Sequence, residues 1–320
     1  MSETNVVVLV LPEVNLLDLA GPVQVFHAAA LRGAGYRIGY VADEPERLSA
    51  QGLLLAGLQP LPPAGAGDLI LVPGPELRRP PPGQPLVAAP VVSWLRDAYR
   101  RGAAVAAVCS GAAALAEAGL LDGRRCTTHW ALTGLLRQHC PAARVQDGVL
   151  YVHDGRVSTS AGISAGIDLA LSLVERDHGA ALTAEVARQL VVYLRRSGSG
   201  AQISPFLQHR AHLNPAVHRV QEHLAQHLDG RHTLADLARV ANLSPRGLSR
   251  AFRTTIGMTP LEYQQGLRME HAGTLLAGTD LTVEAVAARC GFTDARHFRR
   301  LWTARFGTPP SASRPEALRG

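Results

Sequence analysis

Apolar positions along the chain follow two rhythms, and the change falls near residue 200. In the first part, short unbroken apolar runs alternate with longer alanine-rich stretches. Val6–Leu11, stopped by Pro12, predicts a buried strand. So do Tyr36–Val41, Ala103–Val108, and Asp68–Val72 running into the turn Pro73-Gly74. A strand covered on both faces has no polar side, so its apolar run is continuous. Asp18–Leu31, Val91–Arg101, Ser110–Ala118, Thr159–His178 and Leu182–Leu194 predict helices. Pro80–Pro85 is a proline cluster that continues neither element and reads as a surface loop. Strands alternating with helices predict a layered α/β domain around a mainly parallel sheet.

From Asn214 onward the apolar residues recur at helical spacing instead. Asn214 suits an N-cap and Pro215 a first helical position; Val217, Val220, Leu224 and Leu228 follow, and Asp229-Gly230 ends the helix. Thr233–Gly307 then holds one helix-turn-helix pattern written twice. A shift of 49 pairs Leu237 with Val286, Ala238 with Ala287, Leu243 with Phe292 and Ser244 with Thr293. After one inserted residue, a shift of 50 pairs Arg246 with Arg296, Leu248 with Phe298, Arg250 with Arg300 and Phe252 with Trp302. Pro260–Ala277 predicts a long helix between the copies, with Leu261, Leu267, Leu275 and Leu276 facing inward. This region is all-α, with about seven helices. The polar, Gly/Ser-rich stretch Arg195–Gln202 between the two rhythms suggests a linker. The expected division is 1–195, a linker over 196–213, and 214–320.

Charge sharpens this division. Residues 1–200 carry 17 arginines and 17 acidic residues; residues 201–320 carry the other 15 arginines and 9 acidic residues. The whole surplus of +6 therefore sits in the second part. A basic domain beside a neutral one points to a polyanion-binding module joined to a part with another task. The chain has no lysine. Its four cysteines, Cys109, Cys126, Cys140 and Cys290, show no CxxC or Cys/His metal spacing, which suits a reducing compartment. No metal or cofactor is expected. No signal peptide and no membrane-spanning apolar run is expected either, so the location expected is cytoplasmic.

Two constellations carry candidate chemistry. Ala107-Val108-Cys109-Ser110-Gly111 lies where a strand stops and a helix starts. Such a turn exposes the apex side chain, and the helix N-terminus beneath it favours a thiolate and offers amides to an anion. Asp18 lies upstream and His129 downstream. The alternative is a small buried core cysteine, and local spacing leaves both open. In the second part, Arg246, Arg250 and Arg253 share one exposed helical face with Ser249, opposite the apolar Leu248, Ala251 and Phe252. In the second copy Arg296, Arg299 and Arg300 face outward with His297 at the margin, opposite Phe298, Leu301 and Trp302. Guanidinium groups so placed suit guanine O6/N7 and phosphate. Their repetition at matched positions argues against an ordinary solvated face. Cys290 reads as a small core residue.

Residues 5–190 resemble the ThiJ/PfpI superfamily. The resemblance lies in Leu17-Asp18-Leu19-Ala20-Gly21-Pro22, Val72-Pro73-Gly74, Val108-Cys109-Ser110-Gly111, Ala116–Trp130 and Thr159–Leu169. It implies a flavodoxin-like α/β domain, class I glutamine amidotransferase-like, with a pocket built on Asp18, Gly74, Cys109, Ser110 and His129. Superfamily enzymes such as isonitrile hydratases use an acidic residue where Asp18 stands and a cysteine where Cys109 stands. Here Pro75 replaces a usual glycine, and proline has no N–H to serve an oxyanion. Residues 214–314 resemble the AraC/XylS-type DNA-binding domain, through Gly257-Met258-Thr259-Pro260, Tyr263, Cys290-Gly291-Phe292, Phe298, Phe306-Gly307 and Pro310. It implies base contacts at Arg246 and Arg250, with Arg296 and Arg300 as second-copy equivalents. Ser313-Arg314 stands where the family has Tyr-Arg, and the missing aromatic residue predicts a slightly looser C-terminal end.

The combination is similar to GlxA-type bacterial transcription regulators. It implies double-stranded DNA as partner, with the two helices entering successive major grooves about 34 Å apart. It also implies a nucleoid-associated homodimer formed through the first domain, and RNA polymerase as partner if the protein activates. A small effector is implied too, an amino acid, amine or related nitrogen compound. The competing readings are an isonitrile hydratase-like or amidase-like enzyme, with Cys109 as nucleophile, and a redox sensor oxidised at Cys109.

Overall fold

In the computed structural model, residues 3–76, 87–192, 196, 198 and 212–313 are described. The proline cluster 80–85 and most of the expected linker lie outside them. The chain divides into two compact units, Met1–Gln202 and Ile203–Gly320.

The first unit is built on a six-stranded sheet. Its strands are β1 (Thr4–Leu9), β2 (Tyr36–Val41), β5 (Asp68–Val72), β6 (Ala104–Val108), β9 (Tyr151–Asp154) and β10 (Val157–Ser160). The order is β2-β1-β5-β6-β10-β9, parallel except for the antiparallel edge strand β9. The short pairs β3 (Glu46–Leu48) with β4 (Leu54–Ala56), and β7 (Arg125–Cys126) with β8 (Arg144–Val145), stand apart from it. Helices cover both faces: α1 (Leu16–Ala30) and α5 (Ala165–Gln189) on one, α2 (Ala89–Arg100), α3 (Ala112–Glu117) and α4 (Thr133–His139) on the other. Val6 and Val8 of β1 pack into the first layer, with Phe26 and Leu171; Val7 and Leu9 pack into the second, with Leu95 and Leu115. This two-sided burial is why the run is unbroken.

Residues Thr159–His178 do not form one helix. Thr159 and Ser160 end β10, and α5 starts only at Ala165. Strand β10 reads Val-Ser-Thr-Ser and escaped the apolar signal because hydroxyls fill it. Two of them are satisfied in place: Ser158 Oγ lies 2.8 Å from His153 Nδ1, and Thr159 Oγ1 accepts from Thr127 N at 2.8 Å. Helix α5 continues through 182–189 but breaks its backbone at Gly179, φ 84°. Arg196 and Gly198, within the expected linker, dock on the first unit. Arg196 grips buried Asp168 through Nε at 2.9 Å and Nη2 at 2.5 Å, and the Gly198 carbonyl accepts from Leu150 N.

The second unit contains, among the described residues, α6 (Pro215–Gln226), α7 (Leu234–Ala241), α8 (Pro245–Ile256), α9 (Pro260–Gly278), α10 (Val283–Arg289), α11 (Ala295–Phe306) and a 3-10 turn, Pro310–Ser313. It has two small cores sharing α9 as spine. Tyr263 and Leu267 join the first, with Leu237, Leu248 and Phe252; Met269, Ala272 and Leu276 join the second, with Val286, Phe298 and Trp302. Leu261 is 45% exposed, and Tyr263 packs into the first core in its place. Capping boxes at Thr233/Asp236 and Thr259/Glu262 satisfy the first amides of α7 and α9. The 3-10 turn Pro310–Ser313 starts on buried Pro310, and the chain beyond Ser313 lies outside the described residues.

Candidate functional site

Three strands of the first unit end side by side, and each hands the chain to a loop. Val72 pairs with Ala107 and Val108 with Ser160, so Gly74, Cys109 and Gly162 converge just past the strand ends. Ligand crevices of open parallel sheets lie there. Cys109 has φ 56°, a left-handed value that a side-chain-bearing residue adopts only when its surroundings hold it there. The surroundings do so. A Cβ on Gly74 would lie 2.5 Å from Ser110 Oγ, 2.8 Å from Asp18 Oδ2 and 2.9 Å from Cys109 Cβ. A Cβ on Gly162 would lie 2.2 Å from Cys109 Cβ and 2.7 Å from its Sγ. One on Gly111 would lie 2.1 Å from the Val72 carbonyl oxygen. The three glycines let the elbow sink between neighbouring strand ends.

Asp18, on α1, is fully buried, and its Oδ1 accepts from Ile163 N at 2.5 Å. Ile163 too has a left-handed backbone, φ 49°, which for a β-branched residue is strained. That strain aims its amide at Asp18. Burial pushes the Asp18 carboxyl up to about 6, against the opposing pull of the Ile163 amide and Cys109. Burial, and then the Asp18 charge, push the Cys109 thiol up to about 12, although the Ser110 amide pulls the other way. At neutral pH the residue is therefore a thiol, held against a carboxylate. An activated nucleophile needs the reverse.

Ser110 and His129 point to other work. The Ser110 hydroxyl donates to the Pro75 carbonyl, and Thr128 Oγ1 donates to the Cys109 carbonyl at 2.7 Å. His129 caps the 3-10 turn Trp130–Leu132 through Nδ1 and packs against the Trp130 ring at 5.3 Å; no hydrogen bond joins it to Cys109. A cavity of about 70 Å³ opens between α3 and α4, with Ser110 and Thr128 on its edge and Ala113, Ala116, Leu135 and Leu136 in its walls. Of the five predicted pocket residues, Ser110 alone lines it. Sequence reasoning missed Gly162, Ile163 and Thr128 as site residues, although each lies inside a segment that carried the resemblance.

In the second unit the recognition helices are α8 and α11. The turn before each is left-handed at matched positions, Asn242 (φ 55°) and Gly291 (φ 77°), and each helix ends on a left-handed glycine, Gly257 and Gly307. Ser244 caps α8 by accepting from Gly247 N at 3.1 Å; Asp294 caps α11 by accepting from Arg296 N at 2.8 Å. Arg246, Arg250, Arg253, Arg296, His297, Arg299 and Arg300 are exposed, and Ser249 is half-buried. Among the described residues Arg246, Arg250, Arg253 and Arg296 make no ion pair. Arg299 instead pairs with Glu284 of α10, and Arg300 Nη2 lies 3.0 Å from His297 Nδ1. Of the second copy's expected reading residues Arg296, Arg299 and Arg300, Arg299 is thus the one that is ion-paired among the described residues.

Arg268, which the sequence did not single out, ties the two copies together. From α9 its guanidinium donates to Leu228 O at 2.8 Å and Gly230 O at 2.7 Å, before the first copy, and lies 5.9 Å from the Phe292 ring of the second. A Cβ on Gly291 would lie 2.6 Å from Arg268 Nη2 and 2.7 Å from Asp229 O, so only glycine admits this clamp.

The fold and these sites define a two-part protein, a flavodoxin-like domain with a half-buried cysteine elbow joined to a double helix-turn-helix domain. Residues 4–176 match the DJ-1/PfpI family and residues 237–315 match a helix-turn-helix domain. The chain belongs to the DJ-1/PfpI family, in the branch that carries an AraC-type DNA-binding domain. It is 34% identical over 274 residues to the HTH-type transcriptional regulator CdhR of Pseudomonas aeruginosa, covering 85% of this chain and 80% of that one. It is 27% identical over 220 residues to the HTH-type transcriptional regulator GlxA of Rhizobium meliloti, covering 69% and 68%. An isonitrile hydratase of Pseudomonas putida is 35% identical over 167 residues, 52% of this chain and 69% of the enzyme. The fold is shared with a ThiJ/PfpI family protein of Pseudomonas syringae, at TM-score 0.52 and 22% identity over 76% of this chain and 92% of that one.

Proposed function

We infer that the protein is a sequence-specific DNA-binding transcription regulator whose first domain binds a small effector and forms a homodimer. The observation that carries this reading is the pair of arginine-bearing helices at matched positions on one spine, clamped by Arg268. The likeness to two named regulators across both domains supports it. Its place of action is the cytoplasm, on the nucleoid, with RNA polymerase as a further partner if it activates. Among the described residues no helix is long and apolar enough to cross a membrane. Footprinting on a bound fragment is expected to show protection of two successive major grooves on one DNA face per chain. Protection of a single groove contradicts use of the second copy.

The enzyme reading rests on the Asp18–Cys109 pair and the likeness to an isonitrile hydratase. Against it stand the protonated thiol, the glycines closed around it, and Pro75 in place of an oxyanion donor. Iodoacetamide labelling across pH, read by peptide mass, separates the readings. Cys109 is expected to stay slow up to about pH 10, since burial and a neighbouring anion both disfavour thiolate. Asp18→Asn removes that anion, so the onset moves to lower pH. Half-maximal labelling below pH 8 in the unaltered protein contradicts the inert-thiol account and revives both the catalytic and the redox readings.

A further inference from the structure

The elbow of the first unit leans on one short turn, and both ends of that turn are bonded to the chain that leads to the second unit. Gly162 packs against Cys109, and Ile163 donates its amide to Asp18 Oδ1 at 2.5 Å. Just after them, Ser164 is the N-cap of α5 but makes no capping bond with its hydroxyl. Asp168 lies one helical turn further on, so the two share a face. Arg196 sits on both. Its guanidinium donates to Ser164 Oγ at 2.9 Å and to Asp168 Oδ2 through Nε and Nη2, and its amide donates to Asp168 Oδ1 at 3.2 Å. Asp168 is buried, and the positive end of α5 favours its charge. Just before the turn, Ala161 donates its amide to Leu150 O at 2.7 Å, and Leu150 donates its own to Gly198 O at 2.8 Å. A Cβ on Gly198 would lie 2.7 Å from Tyr151 O and 2.9 Å from the Tyr151 ring, so this approach is close.

We propose that Arg196 and Gly198 form a latch that couples the Asp18–Cys109 elbow to the interdomain chain. The element both sides act on is a strained turn. Ile163 is β-branched and left-handed at φ 49°, a conformation kept only where its surroundings hold it. Asp18 holds it from one side, through its amide. Arg196 holds it from the other, through the neighbouring Ser164. Loosening either grip lets Ile163 relax, and the movement draws on the remaining grip. Two sites that bias one such element are coupled, and the coupling is reciprocal. A change in the Asp18–Ile163 bond therefore alters how firmly Arg196 is seated, close to where the chain departs for the second unit, Ile203–Gly320. Ile163 is 37% exposed, so the turn is open to solvent. The consequence for transcription rests on the regulator reading above, to which the latch adds a step out of the first domain.

Hydrogen exchange of the full chain, resolved to single amides, tests the latch at the two amides it links. Arg196→Ala is expected to speed exchange at Ile163, whose amide bonds Asp18, by at least about five-fold. Asp18→Asn is expected to speed exchange at Arg196, whose amide bonds Asp168, by at least about five-fold. The amides of Thr4 and Gly65, bonded to Gly35 O and Asp68 Oδ2 at the opposite end of the sheet, should stay within about two-fold. Ser164→Ala removes only an exposed hydroxyl and decides the matter if a larger change prevents folding. It should speed both Ile163 and Arg196 by at least about two-fold. The latch is overturned if any of these variants leaves the amide across the turn unchanged, or if the two control amides accelerate as much, which is a loss of overall stability. DNA affinity of the unaltered protein, measured on the same preparation, keeps the outcomes apart. Intact DNA binding with uncoupled amides sinks the latch alone, whereas coupled amides without DNA binding keep the latch and sink the regulator reading.

Discussion

Arg250→Ala in the full chain is expected to weaken binding to the selected operator by about 1–3 kcal/mol and to relax the preference at one base pair. Arg250 projects from the exposed face of α8, which Ser244 caps and Leu248 and Phe252 anchor, so truncating it leaves the helix in place. Arg300→Ala should cost a similar amount but at a base pair in the other half of the same site. Their helices are anchored in different packed cores, so the losses should add. Arg299→Ala is the internal control. That side chain is already paired with Glu284, so its loss should change affinity less and leave base preference alone. Competition binding against operators varied one base pair at a time reads all three. Equal losses on operator and random duplex would show that Arg250 and Arg300 touch phosphate only, with a salt slope lowered by about one.

Gly162→Ala should unfold the first unit at a temperature roughly 10 °C lower. The new methyl would lie 2.2 Å from Cys109 Cβ and 2.8 Å from its Cα, so a strained elbow must give way. The backbone at Gly162, φ 93°, adds its own penalty for any side chain. Left-handed strain and overpacking together cost on the order of 3–5 kcal/mol, and each kcal/mol shifts a unit of this size by roughly 2–4 °C. Gly52→Ala isolates the backbone part, because Gly52 has φ 81° and nothing within 4 Å of the added atom. Calorimetry should place the first-unit transition of Gly162→Ala well below that of Gly52→Ala. Coincident transitions would mean that the elbow is not packed against Gly162.

Much of this was legible in the sequence, for identifiable reasons. Strands β1, β5 and β6 are covered on both faces and so announce themselves as apolar runs. The recognition arginines were legible because the residues around them repeat in register, Asn242 with Gly291 in the turn before each helix and Gly257 with Gly307 at its end. Strand β10 was not, because Ser158, Thr159 and Ser160 are buried hydroxyl residues, the first two with their hydroxyls paired, a state no hydropathy pattern records. The outward turn of Leu261 was hidden because helical spacing places it beside Tyr263 without saying which of the two faces the core. Arg268 and Arg299 looked like any other exposed arginine. Their partners, the Leu228 and Gly230 carbonyls and Glu284, are brought close only by the packing of α9, α10 and α11.

The central claim is sequence-specific DNA reading by two clamped helices. It is tested most directly by fluorescence anisotropy with the full chain, on a duplex selected from a random library and on the same duplex scrambled, at one salt concentration. The account predicts tighter binding to the selected duplex by at least about 10³-fold. The enriched sequence should contain two conserved elements one helical turn apart. Equal affinity for the two duplexes, falling in parallel as salt rises, would contradict it.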